Sequence, residues 1–542
     1  MIPAWTGQEV RQAERPLLEA GNGPVLMARA AHGLALECVR QLRAVRSVPG
    51  ARVVVLAGTG NNGGDAIWAA GALRRRGAMV QVIATGRELH HAAQAAAERA
   101  GVRVTALRKI GVATAVQLCC TADMVLDGIV GTGARGGLRA DSKELVEQLL
   151  GRWSPVIPEA HLPVVVAVDI PSGVDADTGA CEGPVLPAAH TVTFGGTKVG
   201  HLVPPGREAS GKIAVVDIGI EHALPAPEVI RLDVADVMQL WPRPSTNDHK
   251  YTRGVLGVVA GSTQYPGAAV LCTRSAVSAG VGMVHYLGDH HARTMVVLTS
   301  PEVVASEAAP AAVCAQAWVA GPGATDQIQQ DRIREVLDLE HPMVIDAGAF
   351  DVVGRVLGDR ALMPQQILTP HAGELVKLLT WCHAWGHTET VPTRHDVERD
   401  PLTWARETAS ATGATVVLKG AVTVVAAAAG GPIFVVGHGS PWLATAGSGD
   451  CLAGILGALM ANIQGSPDIF HSAARAWAVA APLPPKARDQ LLRHLTAGEY
   501  WALVAGVGVG LHAAASTVGG EGPQPCTPER IRAALTHSSC AV

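Results

Sequence analysis

The sequence predicts two α/β domains in tandem, each built on a largely parallel sheet. Short Val-rich runs alternate with Ala-rich amphipathic stretches in both halves, the texture of repeated strand–helix units. The alternation breaks over 223–247, a proline-rich segment of changing texture that reads as a linker. Glycine-rich turns follow strands and open helices in each half. Their sequences and placements differ, so the halves are not copies of one repeat.

In the first half, 52–57 (RVVVLA) reads as a buried strand, 65–76 as a helix and 79–84 as the next strand. Strands are also expected at 124–127, 164–170 and 213–218. After the linker, 254–260 (GVLGVVA) restarts the series. It continues through 317–320, 343–346, 366–369 and 415–418, with a hairpin from 422–427 to 433–436. A helix opens at Asp450, where Leu452, Ile455, Leu456 and Leu459 follow helical spacing. The His-, Thr- and Trp-rich segment 381–406 and the Pro- and charge-rich segment 481–500 read as surface insertions. The expected domains are therefore 1–222, a linker at 223–247, 248–517, and a C-terminal tail at 518–542.

Composition narrows the function classes. Of 542 residues, 48% are hydrophobic and 17% charged, enough for a substantial core in each half. The net charge of −4 leaves no electrostatic footprint for nucleic acid. The apolar runs 164–168 and 501–515 fall short of the about 20 residues a bilayer needs, so no membrane partner is expected. The N-terminal residues carry early acids and no long apolar core, unlike a signal peptide. The ten Cys form no CxxC pair, which fits a reducing cytoplasm; the adjacent Cys119 and Cys120 read as small buried hydrophobes.

Residues 57–65 read AGTGNNGGD, after a strand and before a helix. Gly58, Gly60 and Gly63 satisfy GxGxxG, which lets the backbone approach a phosphate at a helix N-terminus. A Rossmann-like fold for hydride transfer also wants an acid about 20 residues on, at the end of the second strand. Ala84 and Thr85 stand there and Glu88 lies beyond, so hydride transfer is disfavoured. Two further loops end strands: VLDGIVGTGARGG at 125–137, and AVDIPSGVDADTG at 167–179, which carries Asp169, Ser172 and Asp175. Ligands of open α/β sheets bind beyond the carboxyl ends of the strands, where these loops converge.

NNGGD, the Asp127-to-Gly133 segment, DIPSG and TFGGTKVGHL (193–202) together resemble the NAD(P)H-hydrate epimerase family over about residues 1–220. The resemblance implies a substrate carrying water at C6 of the reduced nicotinamide ring, whose R and S forms are interconverted. It implies that Asn61, Asn62, Gly63, Gly64 and Asp65 bind this dinucleotide, with Gly131, Thr132, Gly133, Ala134, Arg135, Gly136 and Gly137. Asn62, Asp127 and Ser172 match potassium ligands, and Asp169 matches the substrate-binding, proton-handling carboxylate. Hard oxygens suit such an ion, and a positioned carboxylate can assist loss and return of a hydroxyl. Ala66 and Gly128 depart from the commoner Gly and Ala of the family.

In the second half, 444–452 read ATAGSGDCL. Backbone N–H groups at such a helix start hold an anion, and Asp450 beside it can take a proton from a hydroxyl. This GxGD pattern resembles the ribokinase-like fold. With HKYTRGVLGVVAGSTQYPGAA (249–269), AGPG (320–323), TPHAGE (369–374) and TVVLKGAVT (415–423), it is similar to the ADP/ATP-dependent NAD(P)H-hydrate dehydratase family over about 230–515. The resemblance implies that the S hydrate is phosphorylated at its C6 hydroxyl and then loses phosphate to return NADH or NADPH. ADP is the expected co-substrate, with magnesium on its phosphates. Asp450 matches the base and a substrate contact, while Gly323 and His371, and also Ala268, match the hydrated dinucleotide. Lys419, Gly420, Ala421, Val422 and Thr423, with Gly449, match the nucleotide. Lys250 lies in a stretch that departs from the commoner HKGDxG form.

Other readings fare worse. GREASGK (206–212) nearly matches a P-loop, but Ile213 replaces the hydroxyl residue and a strand follows. The histidines at 290, 291, 383, 387 and 395 have no zinc-site spacing. The alternative function is a vitamin or sugar kinase fused to a non-catalytic nucleotide-binding module, which would make a stable phosphorylated product. Small-molecule substrates and self-association into a homo-oligomer complete the expectations.

Overall fold

The strand Arg52–Ala57 lies inside a sheet whose order is Arg103–Ala106, Met79–Ala84, Arg52–Ala57, Met124–Gly128, Val164–Val168, His190–Phe194 and Lys212–Val216. Every pairing in it is parallel. The computed structural model describes residues 1–133, 136–153, 162–496, 500–517 and 526–538. Within these the chain divides into two units, Pro3–Glu228, and Met1–Ile2 with Val229–Val542.

In the N-terminal unit the central strands Arg52–Ala57 and Val164–Val168 are almost wholly apolar because helices cover both faces of a parallel sheet. Leu56, Val125 and Val165 pack with Leu145, Val146 and Leu149 of the helix Ala140–Arg152. Truncating a buried leucine such as Leu149 to Ala would cost about 2–5 kcal/mol. The chain reverses its winding direction beside Arg52–Ala57, which has Met79–Ala84 on one side and Met124–Gly128 on the other. That switch point opens a crevice beyond the strand ends. The helix after Arg52–Ala57, Asn61–Arg75, starts four residues before the expected 65, so NNGGD is its first turn rather than a loop ahead of it.

In the C-terminal unit the sheet runs Val304–Ser306, Met283–Leu287, Val255–Val259, Ala317–Ala320, Met343–Ile345, Gln366–Leu368, Thr415–Leu418, Thr423–Ala426, Ile433–Val436 and Val229–Arg231. The strands up to Thr415–Leu418 pair in parallel. Thr423–Ala426 and Ile433–Val436 form the expected antiparallel hairpin. A second switch point falls between Val255–Val259, Met283–Leu287 and Ala317–Ala320. The α/β class expected for both halves is the one found.

The expected boundaries differ from the structure at two places. The segment 223–247 is not only a linker: Val229–Arg231 joins the sheet beside Ile433–Val436, and the helix Val234–Leu240 packs Val237 against Gly510. Val229, Ile230 and Leu232 are buried, an apolar run too short to stand out among prolines. The tail 518–542 contains the helix Pro528–Ser538, which buries Ile531 and Leu535 and pairs Glu529 with Arg274 at 3.4 Å. Their i, i+4 spacing gives that helix an apolar stripe. The segments 381–406 and 481–500 carry the helices Arg394–Arg399, Pro401–Thr412 and Pro485–Thr496. Among the described residues no helix is long and apolar enough to cross a membrane.

Candidate active sites

The loops at the N-terminal switch point meet around buried polar groups. Asp127, at the end of Met124–Gly128, is wholly buried. Its Oδ1 accepts from Ser172 Oγ at 2.6 Å and its Oδ2 from the Ser172 backbone N–H at 2.8 Å. Ser172 Oγ also accepts from the Val130 N–H at 3.0 Å. Burial pushes the Asp127 carboxyl up, against the hydrogen bonds from Ser172 and Ile129. Among the described residues no cation pairs with it. Asn62 Nδ2 donates to the Val168 carbonyl at 2.6 Å, and a Cβ on Gly131 would lie 2.4 Å from Asn62 Oδ1, so glycine there admits the amide. Asn62, Asp127, Ser172 and Gly131 are thus brought together.

Asp169 follows the strand Val164–Val168 with φ +65°, a left-handed backbone in a non-glycine residue. Its Oδ1 accepts from Lys198 Nζ at 2.5 Å, Thr193 Oγ1 at 2.8 Å and the Phe194 N–H at 3.2 Å. Lys198 is buried, and its ammonium also donates to Thr193 Oγ1 and the Phe194 carbonyl, both at 2.9 Å. Burial acts to raise the Asp169 carboxyl, but Lys198 and the hydrogen bonds outweigh it and hold the group below the usual carboxylate range. His201 Nδ1 accepts from the Lys198 N–H at 3.0 Å, so its Nε2–H donates to the Asp169 carbonyl at 2.8 Å. Burial, then the Lys198 charge, pull this imidazole down to about 4, so it is neutral.

Asp65 is buried in the first turn of Asn61–Arg75. Asn61 is exposed at that helix start, and a Cβ on Gly63 would lie 2.1 Å from the Gly58 carbonyl oxygen. Gly64 packs beside His90. Thr132 offers its carbonyl to Arg11 at 2.9 Å, with Gly133 and Gly136 exposed and Gly137 backed against Glu182. Ala134 and Arg135 lie outside the described residues. Asp175 accepts from Asp177 and Thr178 within its own turn, a structural role. Sequence reasoning quoted TFGGTKVGHL but did not single out Lys198, Thr193 or His201 within it.

In the C-terminal unit a second set gathers beyond the neighbouring ends of Met343–Ile345, Gln366–Leu368 and Thr415–Leu418. Asp346 follows Met343–Ile345 and is buried. Its Oδ1 accepts from Lys419 Nζ at 2.8 Å and Thr369 Oγ1 at 2.7 Å. Lys419 follows Thr415–Leu418, and Glu374 Oε2 lies 3.8 Å from its ammonium. Burial acts to lower the Lys419 ammonium, but Asp346 and Glu374 prevail and it rises. A Cβ on Gly449 would lie 3.6 Å from Lys419 Nζ and 4.0 Å from Asp346 Oδ2, which fixes how close the GSGD turn comes. Asp450, in the first turn of the helix Ser448–Gly465, is pushed up to about 6 by burial and by Asp346, against Lys419.

Gly323 has φ +63°, and a Cβ there would meet Ala268 Cβ at 2.7 Å and the Tyr265 carbonyl at 3.0 Å. It therefore places the 321–323 turn directly on the helix Pro266–Ser278. His371 is exposed and caps the helix Ala372–Ala384, accepting from the Glu374 N–H at 3.2 Å while Glu374 Oε2 accepts from its own N–H at 2.9 Å. Gly420 and Ala421 are exposed, Thr423 half-buried, and Val422 buried against Gly437. Lys250 is exposed over the Tyr251 ring, 4.9 Å from its centroid, ahead of Val255–Val259 and so at the opposite end of the strands from Asp450. Asp346 and His512, whose Nε2 lies 3.3 Å from Ser448 Oγ, were not singled out from sequence. His512 sits in a wholly apolar helix pattern that gives no hint of it.

The family model described as NAD(P)H-hydrate dehydratase matches residues 256–496, and that of the YjeF-related protein N-terminus matches 23–200. A bifunctional NAD(P)H-hydrate repair enzyme of Mycobacterium tuberculosis is 42% identical over 460 residues, covering 84% of this chain and 88% of its own. The chain belongs to the bifunctional NAD(P)H-hydrate repair enzyme family. The member from Mycobacterium leprae is 39% identical over 503 residues, 90% of this chain and 97% of its own. An NAD(P)H-hydrate epimerase of Clavibacter michiganensis is 42% identical over 228 residues, 42% of this chain and 94% of its own. A solved ADP/ATP-dependent NAD(P)H-hydrate dehydratase of Bacillus subtilis, 24% identical with a TM-score of 0.37, covers 50% of this chain and 98% of its own. In this repair-enzyme family member each family match falls on one of the two crevices.

Proposed function

We propose that this chain repairs hydrated nicotinamide cofactors, interconverting their R and S forms in the N-terminal unit and dehydrating the S form in the C-terminal unit with ADP. The observation that carries the reading is Asp450: a carboxyl pushed up to about 6, beside Lys419, at the start of a helix whose free N–H groups suit an anion. Ionised near neutral pH, Asp450 takes the proton of the C6 hydroxyl as its oxygen attacks the terminal phosphoryl group of ADP. AMP leaves, and the backbone amides of 447–449 hold the transferred group. Loss of phosphate from C6 and a proton from C5 then restores the ring double bond. Lys419, Gly420, Ala421, Val422 and Thr423, with Gly449, hold the nucleotide; Ala268, Gly323 and His371 hold the dinucleotide. The relatives named as repair enzyme and epimerase support both halves of this reading.

In the N-terminal unit, Asn61–Asp65 and 131–137 bind the hydrated dinucleotide, and Asp169 handles the proton. Asp127, Ser172 and Asn62 fit potassium, since a wholly buried carboxylate, with no cation paired to it among the described residues, sits beside hydroxyl and amide oxygens. When bound, potassium supplies a compensating charge that fixes these loops. Among the described residues no group of three carboxylate or imidazole side chains could hold a metal ion by itself, so magnesium would enter with the ADP phosphates, whose charge it would neutralise. A mixture of R and S hydrates incubated with ADP tests the proposal. Full conversion of both forms to NADH, with AMP and phosphate released, is expected. Accumulation of a stable phosphorylated product would instead favour the kinase alternative.

A further inference from the structure

Asp65 carries a buried oxygen, Oδ1, with no hydrogen-bond partner, in a residue only 6% exposed. Buried polar atoms are almost always paired, so an unpaired one at a binding crevice points to a ligand atom. Its position fits. Asp65 stands three residues after Asn62 on the same helix face, and Asn62 Nδ2 donates to the carbonyl of Val168, the residue before Asp169. Asp169 is complementary: Lys198, Thr193 and the Phe194 N–H all engage its Oδ1, and among the described residues none bonds its Oδ2. The three Lys198 donors are spent on Asp169, Thr193 and Phe194, so the lysine fixes the charge of Asp169 without touching a ligand. The charged groups facing Asp65 are Asp169 and, from the helix Gly7–Glu19, Glu14. Burial, then those two like charges, hold Asp65 well above the carboxylate range, whereas Asp169 is held below it. The crevice thus biases its two carboxyls in opposite directions, Asp65 towards the protonated form and Asp169 towards the ionised one, the arrangement of an acid–base pair.

We propose that Asp65 is a second catalytic residue of the epimerase crevice: the acid whose unpaired carboxyl protonates the departing C6 hydroxyl while Asp169 takes a proton from the water that adds to the opposite face. This rests on the proposed epimerase function. The C6–O bond breaks with its electron pair on oxygen, the Asp65 proton completes a water molecule, and the N1 lone pair forms an N1=C6 bond. A water oxygen then bonds to C6, the pair returns to N1, and the surplus proton goes to Asp169. One proton leaves Asp65 and one arrives at Asp169, and exchange of both carboxyls with solvent restores their starting states before the next turnover.

The test uses the full chain with Asp65→Asn, which keeps the size and the neutrality of the acid and removes only its proton. The R/S exchange rate of hydrated NADH is measured against the spontaneous rate, with incorporation of ¹⁸O from labelled water into the C6 hydroxyl. The expected result is a fall in kcat of about 10²-fold or more with KM little changed, and loss of enzymatic ¹⁸O incorporation in step. Formate should restore part of the rate to Asp65→Ala and none to Asp65→Asn; this arm decides the matter if Asp65→Asn fails to fold. Wild-type kcat in Asp65→Asn, or a rise in KM alone, would overturn the role of Asp65 while leaving the epimerase reading intact. A wild-type protein that does not speed exchange would overturn both.

Discussion

Replacing Asp450 with Asn should cost activity and add stability at once. Burial and the Asp346 charge push this carboxyl from its ordinary 3.8 up to about 6 in the folded chain, with Lys419 opposing them. The unfolded chain titrates near the ordinary value. A folded value above the unfolded one means that folding favours the protonated form. The stability from that preference is complete below the unfolded value and is lost as pH rises through about 6. Near neutral pH the ionised Asp450 therefore weakens the fold. At about 1.4 kcal/mol per pKa step the ceiling is about 3 kcal/mol. Asp450 is half-buried, and solvent screening brings the expected gain on removing its charge to about 1–2 kcal/mol. Thermal unfolding of Asp450→Asn should show the C-terminal unit melting about 2–6 °C higher near neutral pH, with the gain shrinking towards acid pH. The same variant should lose about 10²-fold or more of its ADP-dependent recovery of NADH absorbance. The wild-type rate should itself fall below about pH 6, where Asp450 protonates. Retained activity, or a variant that is no more stable near neutral pH than the wild type, would refute the reasoning.

Lys198→Met leaves Asp169 buried without its cation, so urea unfolding should show a loss of about 3–5 kcal/mol in the N-terminal unit. Adding Asp169→Asn should restore much of that stability but not R/S exchange. Because Asp169 is held below the usual carboxylate range, its pairing supports the fold above the unfolded value, and that support should disappear as pH falls through the folded value. Exchanging potassium for choline in the buffer should slow R/S exchange in the wild type and leave Asp127→Asn unaffected, read by the same exchange assay. Gly323→Ala should lower stability by about 1–3 kcal/mol, because φ is +63° and the added Cβ lands 2.7 Å from Ala268 Cβ. It should also raise KM for the hydrate in the dehydration assay.

Strands buried on both faces were legible as apolar runs: Arg52–Ala57, Met79–Ala84, Ala317–Ala320 and Thr415–Leu418 have the bounds expected from sequence. Those that escaped notice lie at or near sheet edges or carry polar residues. Arg103–Ala106 and Val304–Ser306 are edge strands with exposed ends, and His190–Phe194 alternates Thr with apolar residues. Asp127, Asp169 and Asp450 could be singled out because each stands in a glycine-bearing turn after a strand or before a helix. Asp346 also precedes a glycine, Gly348, between a strand and a helix, but that lone glycine is a weaker signal than the clustered glycines of the other turns.

Sequence by itself determined where the chain turns and which carboxylates stand at those turns, because a glycine turn and a helix start are local, set by a few neighbouring residues. Only the tertiary structure decided the partners of those carboxylates, and with them the charge each one carries. Lys198 reaches Asp169 across 29 residues and Lys419 reaches Asp346 across 73. Such pairs depend on which strand ends lie side by side, and on how much water the packed helices exclude. Asp65, pushed above the carboxylate range, and Asp169, held below it, are the same residue type, and only burial and neighbouring charge tell them apart.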